Sequence, residues 1–375
     1  MSGKLQWVER GRIPGLDGLR AIAVLLVIFS HIAGTRGFPC SDELSRIAGY
    51  GGIGVDIFFV LSGFLITLLL TREWTRTETI SLKGFCLRRA LRILPAYGAY
   101  LIAVVLLSLT DVCSLTRRDW VGALTYTVNF VPHVNWYIGH LWSLSIEEHF
   151  YLLWPPVFLL LGFRRALLAL CGCIVLSPLV RLMLRTFWCE QLELDICYCT
   201  FTQMDTIAVG CALALLVRNP RVQRAGLRLA EQSRWAGPLA VLALLLSILV
   251  LPSLSWSLSH AANAVLIALL VWLCINARGI VSRVLNSRPV VFVGVLSYSL
   301  YLWQQPFTFH WGDGDWISRW PVNLGLLIAA ALASHFLIEL PFLRLKERTR
   351  YARDGVSSVI QVTPTTMVPE VGAAL

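Results

Sequence analysis

Two residues in the stretch LDGLRAIAVLLVIFSHI have side chains that do chemistry, Arg20 and His31, with Asp17 just ahead of them. They stand eleven positions apart in an otherwise apolar run. On a helix that separation is about 16 Å of rise and close to three whole turns. Both residues then point to roughly one face, as the lining of a channel requires. A neutral imidazole can take a proton near physiological pH, and a guanidinium fork suits phosphate or carboxylate. Each also has a plainer reading. Arg20 can snorkel to lipid headgroups, and His31 can be an interfacial histidine with a satisfied hydrogen bond.

Other ionisable residues sit where an apolar run should reject them. Asp56 lies in GYGGIGVDIFFVLSGFLIT, where Ser62-Gly63 would let a neighbouring helix approach closely. Arg88, Arg89 and Arg92 cluster in LKGFCLRRALRILPAY and share one side of a helix, either to receive phosphates or to anchor in headgroups. Glu147, Glu148 and His149 stand in GHLWSLSIEEHFYLLWP. Carboxylates beside a histidine orient an imidazole and raise its basicity, but acids also favour a solvated helix N-terminus. Glu147 lies four residues before Tyr151, on what should be an inward aromatic face. Asp205 stands at the edge of a later run. The cluster Tyr298, Tyr301, Trp303, Gln304 and Gln305 reads as an interfacial aromatic belt. Glu339, near His335, has Arg344 as a candidate partner.

The elements that hold these residues must be membrane helices. The 375-residue chain is 57% hydrophobic and 14% charged, against about 25% charged in a soluble protein. Its mean hydropathy is +0.68. About ten apolar runs extend from Leu16–Gly34 to Val322–Leu340, and Phe150–Leu161 is short enough to begin earlier or to re-enter. Backbone groups in lipid must be satisfied within the segment, so the runs are helices. The expected fold is an all-α polytopic membrane protein of about ten transmembrane helices. No signal-peptide cleavage site closes the first run.

The net charge of +10 does not indicate a nucleic-acid surface, because it lies between the apolar runs. Of the lysines and arginines, 24 fall in one set of loops and 6 in the other, which places both termini in the cytoplasm. Residues 1–346 form the expected membrane domain, and 347–375 a flexible cytoplasmic tail. The ten cysteines lack metal-ligand spacing; Cys189, Cys197 and Cys199 either pair in part or remain thiols.

Seven motifs in order make the chain resemble membrane acyltransferase family 3: LDGLRAIAVLLVIFSH, GGIGVDIFFVLSGFLI, RRALRILPAY, LWSLSIEEHFYLLWP, QMDTIAVG, SYSLYLWQQP and IELPFLRLK. The resemblance implies roughly ten transmembrane helices and transfer of an acyl group from acyl-CoA, usually acetyl-CoA, to a hydroxyl of a surface sugar, glycolipid or related acceptor. It implies the plasma (inner) membrane and no metal. By position it makes His31 the essential histidine, Arg20 its paired arginine, Arg89 and Arg92 the donor-handling pair, and Glu147 the motif glutamate. The chain departs from many relatives at Gln203, where arginine is common, and at Gln304, where histidine is common.

On this reading Arg88, Arg89 and Arg92 take the CoA phosphates and the pantetheine arm threads past Arg20. His31 deprotonates the acceptor hydroxyl or is itself acylated, with Glu147 or Asp56 holding its tautomer. A transporter or flippase for a lipid-linked sugar would use the same polar residues as a pathway. A catalytically silent relative would have no need to retain them together.

Overall fold

The protein is described by a computed structural model over residues 13–39, 41–187, 196–232, 235–308 and 316–345. The tail expected at 347–375 lies outside the described residues, as does Cys189 of the possible disulfide. Among the described residues all regular structure is helical.

Helix α1 (Leu16–Ile32) is followed by a short α2 (Asp42–Ala48), then α3 (Ile53–Thr77) and α4 (Leu82–Leu109). Two small helices, α5 (Arg117–Thr125) and α6 (Trp136–Gly139), lead into α7 (Leu141–Phe187). Then come α8 (Thr200–Leu216), α9 (Pro220–Gln232), α10 (Ala236–Leu254), α11 (Trp256–Ile275) and α12 (Gly279–Leu285). The chain closes with α13 (Arg288–Trp303), the single turn α14 (Gln305–Thr308) and α15 (Val322–Ser334), which runs on through a π-helical turn, His335–Glu339.

Among the described residues, five helices are long and apolar enough to cross a membrane, or up to seven if each of two bent pairs is one crossing. Leucines such as Leu69, Leu106, Leu160 and Leu168 face outward, as lipid contact requires.

The 47 residues of α7 would span about 70 Å if straight, more than twice the hydrocarbon thickness. Instead the element breaks at Gly162, whose φ of 65° and ψ of 179° are open essentially to glycine alone. The two halves fold back on each other. His149 in the first half lies 2.8 Å from the Thr200 hydroxyl, and Arg181 in the second donates to the Thr202 carbonyl at 2.5 Å. Both contacts meet the first turn of α8. The expected Phe150 run therefore begins earlier, at Leu141, because LWSLSIEEH is already helical and buried on one side.

Close backbone approach sets the packing. A Cβ on Gly63 would lie 2.1 Å from the Ile207 carbonyl oxygen, and one on Gly210 2.1 Å from that of Val60. Helices α3 and α8 thus cross at van der Waals contact of their backbones. They run in the same direction, as Arg218 reaches the Thr71 carbonyl at the far end. Helix α13 lies along α1 in the same sense, since Gly294 abuts Asp17 and Gln304 meets His31.

Candidate functional site

Helix α1 joins two polar centres. Near its first turn Arg20 faces the charges of Asp17, Glu339, Glu147 and Arg89, which are contributed by four helices. Arg89, on α4, reaches Glu147 at 3.4 Å and Glu148 at 3.7 Å, and its guanidinium lies 3.6 Å above the Tyr151 ring. The Tyr151 hydroxyl donates to Glu147 at 3.0 Å and also bonds Ser62. Arg92, one turn beyond Arg89, is within electrostatic reach of Arg20, Arg89 and Glu339. Glu339 accepts from Ser299 and lies 3.1 Å from the ring of His335. Three guanidiniums and four carboxylates thus crowd one region of the bundle. A π-turn supplies one of the acids, a distortion often found at functional sites.

Arg88 diverges from its two neighbours. It pairs with Glu73 at 3.0 Å, and the same carboxylate accepts the Ser81 backbone N–H at 2.9 Å. It therefore fastens the turn between α3 and α4. The helical spacing brought Arg89 and Arg92 into the cluster and left Arg88 at its rim.

At the other end of α1, the His31 Nδ1 lies 3.1 Å from Gln304 Oε1, and its ring packs edge-on to Trp136 with centroids 5.6 Å apart. The amide oxygen can only accept, so the bond assigns the proton to Nδ1 and leaves Nε2 with its lone pair. Trp136 is fixed by a 3.0 Å bond from its indole nitrogen to the Gln305 carbonyl. In this part of the bundle several buried polar atoms have no protein partner: Gln304 Nε2, Gln305 Oε1, Trp303 Nε1 and His140 Nδ1. Such groups are costly unless water or a polar ligand meets them.

Neither carboxylate expected to orient His31 bonds its ring. Glu147 is committed to Arg89 and Tyr151. Asp56 faces His260 at 3.8 Å, across α3 toward α11. The group that fixes the imidazole is a neutral amide, which sets its tautomer without adding a charge.

A third polar centre is structural in form. Arg181 and Asp205 make a bidentate pair, 2.6 and 3.0 Å, with side chains 0% and 1% exposed. Arg181 also bonds the Thr202 and Ser257 carbonyls, which satisfies a charge that burial alone would not tolerate. Beside it Gln203 Oε1 lies 2.6 Å from His260 Nε2.

The aromatic belt expected in SYSLYLWQQP is absent. Tyr301 bonds Ser143 at 2.6 Å, Tyr298 donates to the Ile93 carbonyl at 3.1 Å, and Gln304 is fully buried. These residues face the bundle because each polar tip has a partner there. Glu339 likewise turns to Ser299 and His335 rather than to Arg344. The signal for Gln304 was in the sequence: an amide inside an apolar span needs a partner.

A family model described as an acyltransferase domain matches residues 13–339. The peptidoglycan O-acetyltransferase OatA of Listeria monocytogenes is 30% identical over 325 residues, which is 80% of this chain and 50% of the relative. A putative O-acetyltransferase of Staphylococcus aureus is 29% identical over 94% of this chain and 61% of its own length. The O-acetyltransferase OatA of Staphylococcus aureus is 31% identical over 78% of this chain and 50% of its own. The chain thus spans about half to three-fifths of the length of these curated relatives. No solved structure matches.

Proposed function

This chain belongs to the acyltransferase domain family, and from that premise we propose an integral-membrane O-acyltransferase that moves an acetyl group from acetyl-CoA to a hydroxyl of a carbohydrate or glycolipid. The observation that carries this reading is α1 itself. One helix links a cluster of half-buried arginines to a histidine whose Nδ1 faces the Gln304 amide oxygen.

The proposed setting is the plasma (inner) membrane, with ten passes in a domain over 1–346, both termini cytoplasmic and a cytoplasmic tail over 347–375. Support comes from the charge bias of the loops, from the reversal at Gly162, and from the shared direction of α1 and α13. The cationic centre then faces the cytoplasm, where acyl-CoA resides.

Arg89 and Arg92 receive the CoA phosphates, Arg88 adds positive charge at the rim, and Arg20 guides the pantetheine arm along α1. Glu147 is a positioning residue that holds Arg89 and Tyr151. At the far end His31 Nε2 removes the proton from the acceptor hydroxyl. The hydroxyl oxygen attacks the thioester carbonyl, the carbon–sulfur bond breaks, and the CoA thiolate takes the proton back from the imidazolium. Gln304 Nε2, which lacks a protein partner, is a donor for the carbonyl oxygen as it gains charge. No step passes through Asp56.

Two outcomes follow. Gln304→Leu lowers the turnover of acetyl transfer by about 10- to 100-fold, the cost of one charge-assisted bond, with little change in the KM for acetyl-CoA. Arg92→Ala raises that KM about tenfold and leaves turnover nearly unchanged, as loss of uniform binding does. Steady-state kinetics in membranes checks both.

The reading as a whole is tested by adding labelled acetyl-CoA to membrane vesicles. It requires label in a glycan or lipid fraction together with release of CoA thiol. Movement of a lipid-linked sugar without thiol release would select transport instead.

A further inference from the structure

A cavity of about 250 Å³ opens at the same end of the bundle as His31 but on the side of α3 that faces α11. Tyr50, Asp56, Ile248, Ser259, His260 and Asn263 line it. Its volume equals about eight waters, the scale of one sugar ring.

The polar groups of this cavity are mostly acceptors. Asn263 is 8% exposed, and its Oδ1 has no hydrogen-bond partner although it is buried. The Asp56 carboxylate stands 3.8 Å from His260 Nδ1, too far for a direct hydrogen bond, and can accept from a ligand hydroxyl. His260 cannot turn away to serve another group, because its Nε2 is held by Gln203 at 2.6 Å. Ser259 donates its own hydrogen to the Ser247 carbonyl, so toward the cavity it too can only accept. The walls are different in kind. Tyr50 is 43% exposed at the rim, and Ile248 lies within. A ligand that fits must donate several hydrogen bonds along one edge and present apolar surface along another. A pyranose ring, with vicinal hydroxyls and a face of C–H bonds, has that composition.

We propose that this cavity binds one neutral sugar ring of the acceptor glycan, gripped through hydroxyls by Asp56 and Asn263, apart from the ring that is acylated at His31. The choice of a sugar as ligand rests on the transferase reading. Both sites lie at the end of the bundle where α1 abuts the start of α3, so a chain of linked sugars can reach from one to the other.

The test reads binding without acetyl-CoA, so failure of acetyl transfer and failure of this site are separate results. The purified full chain is titrated in detergent with N-acetylglucosamine, glucose, galactose, mannose and rhamnose, and the thermal unfolding midpoint is followed. Sodium and ammonium chloride serve as cation controls. At least one neutral sugar raises the midpoint of the wild type and equally that of His31→Ala. Asp56→Asn, which keeps the shape of the side chain, needs about 10- to 100-fold more sugar for the same shift, the loss of a hydrogen bond to a charged group. Tyr50→Ala, at the exposed rim, also weakens the response. Three results would overturn the proposal: no sugar of the panel shifts the midpoint; the shift is lost in His31→Ala but kept in Asp56→Asn; or a cation alone reproduces it.

Discussion

Replacing His31 with alanine lowers acetyl transfer by about 10²- to 10⁴-fold, the usual contribution of a positioned general base. The substitution removes the one imidazole nitrogen that the Gln304 bond leaves free to accept a proton. It removes little else. His31 is half-buried in the last turn of α1, and its neighbours there are Gln304 and the edge of Trp136. The cost to folding is about 1–3 kcal/mol, because the buried Gln304 amide oxygen loses its partner, so the thermal midpoint is measured beside the rate to show that the variant is folded. Gln304 distinguishes base catalysis from a purely structural role. If His31 merely packs, Gln304→Leu leaves turnover unchanged. If His31 is the base, both variants slow transfer while acetyl-CoA binding, set at the other end of α1, persists. Rates measured alongside acetyl-CoA affinity separate these cases, and full activity in His31→Ala would remove the mechanism.

The largest effect on stability falls at Arg181 and Asp205. Asp205→Ala leaves a guanidinium that is fully buried with its carboxylate partner gone. Breaking such a pair from one side costs about 3–5 kcal/mol. The two carbonyl bonds that Arg181 makes to Thr202 and Ser257 do not neutralise the charge. The pair ties the second half of α7 to the starts of α8 and α11, so its loss loosens three helices at once. Replacing both residues with apolar ones of similar size, Arg181→Met with Asp205→Leu, recovers most of the loss, because no charge then remains unpaired. Unfolding of the three proteins in detergent checks the order: wild type, double variant, single variant.

The helices were legible because lipid permits so little else. Length and hydropathy alone located the apolar runs. The reversal at Gly162 was less visible: Phe150–Leu161 looked short because the polar residues Glu147, Glu148 and His149 interrupt its hydropathy, although they are helical and face partners within the bundle. The candidate site was legible in its residue types and not in its pairings. Arg20 and His31 declared themselves by standing in an apolar segment, and the three-residue spacing of Arg89 and Arg92 placed both in one cluster. Which acid meets which base depends on how helices from distant parts of the chain rotate against one another. Asp56 and Glu147 were equally plausible partners for the imidazole by composition. Packing at Gly63 and Gly210 turns Asp56 toward His260, and Arg89 engages Glu147. Gln304 was set aside because it stands where many relatives carry histidine and because its neighbours read as an aromatic belt, yet its depth in the bundle is what makes it a partner.

The central claim is that acyl-CoA enters at the arginine end of α1 and reacts at the histidine end. The most direct measurement compares acetyl transfer from membrane-impermeant, labelled acetyl-CoA in inverted and right-side-out vesicles, each with wild type and His31→Ala. The account predicts label in the glycan or lipid fraction of inverted wild-type vesicles alone, where the cytoplasmic arginines face the donor. Transfer confined to right-side-out vesicles, or equal transfer by His31→Ala, would contradict it.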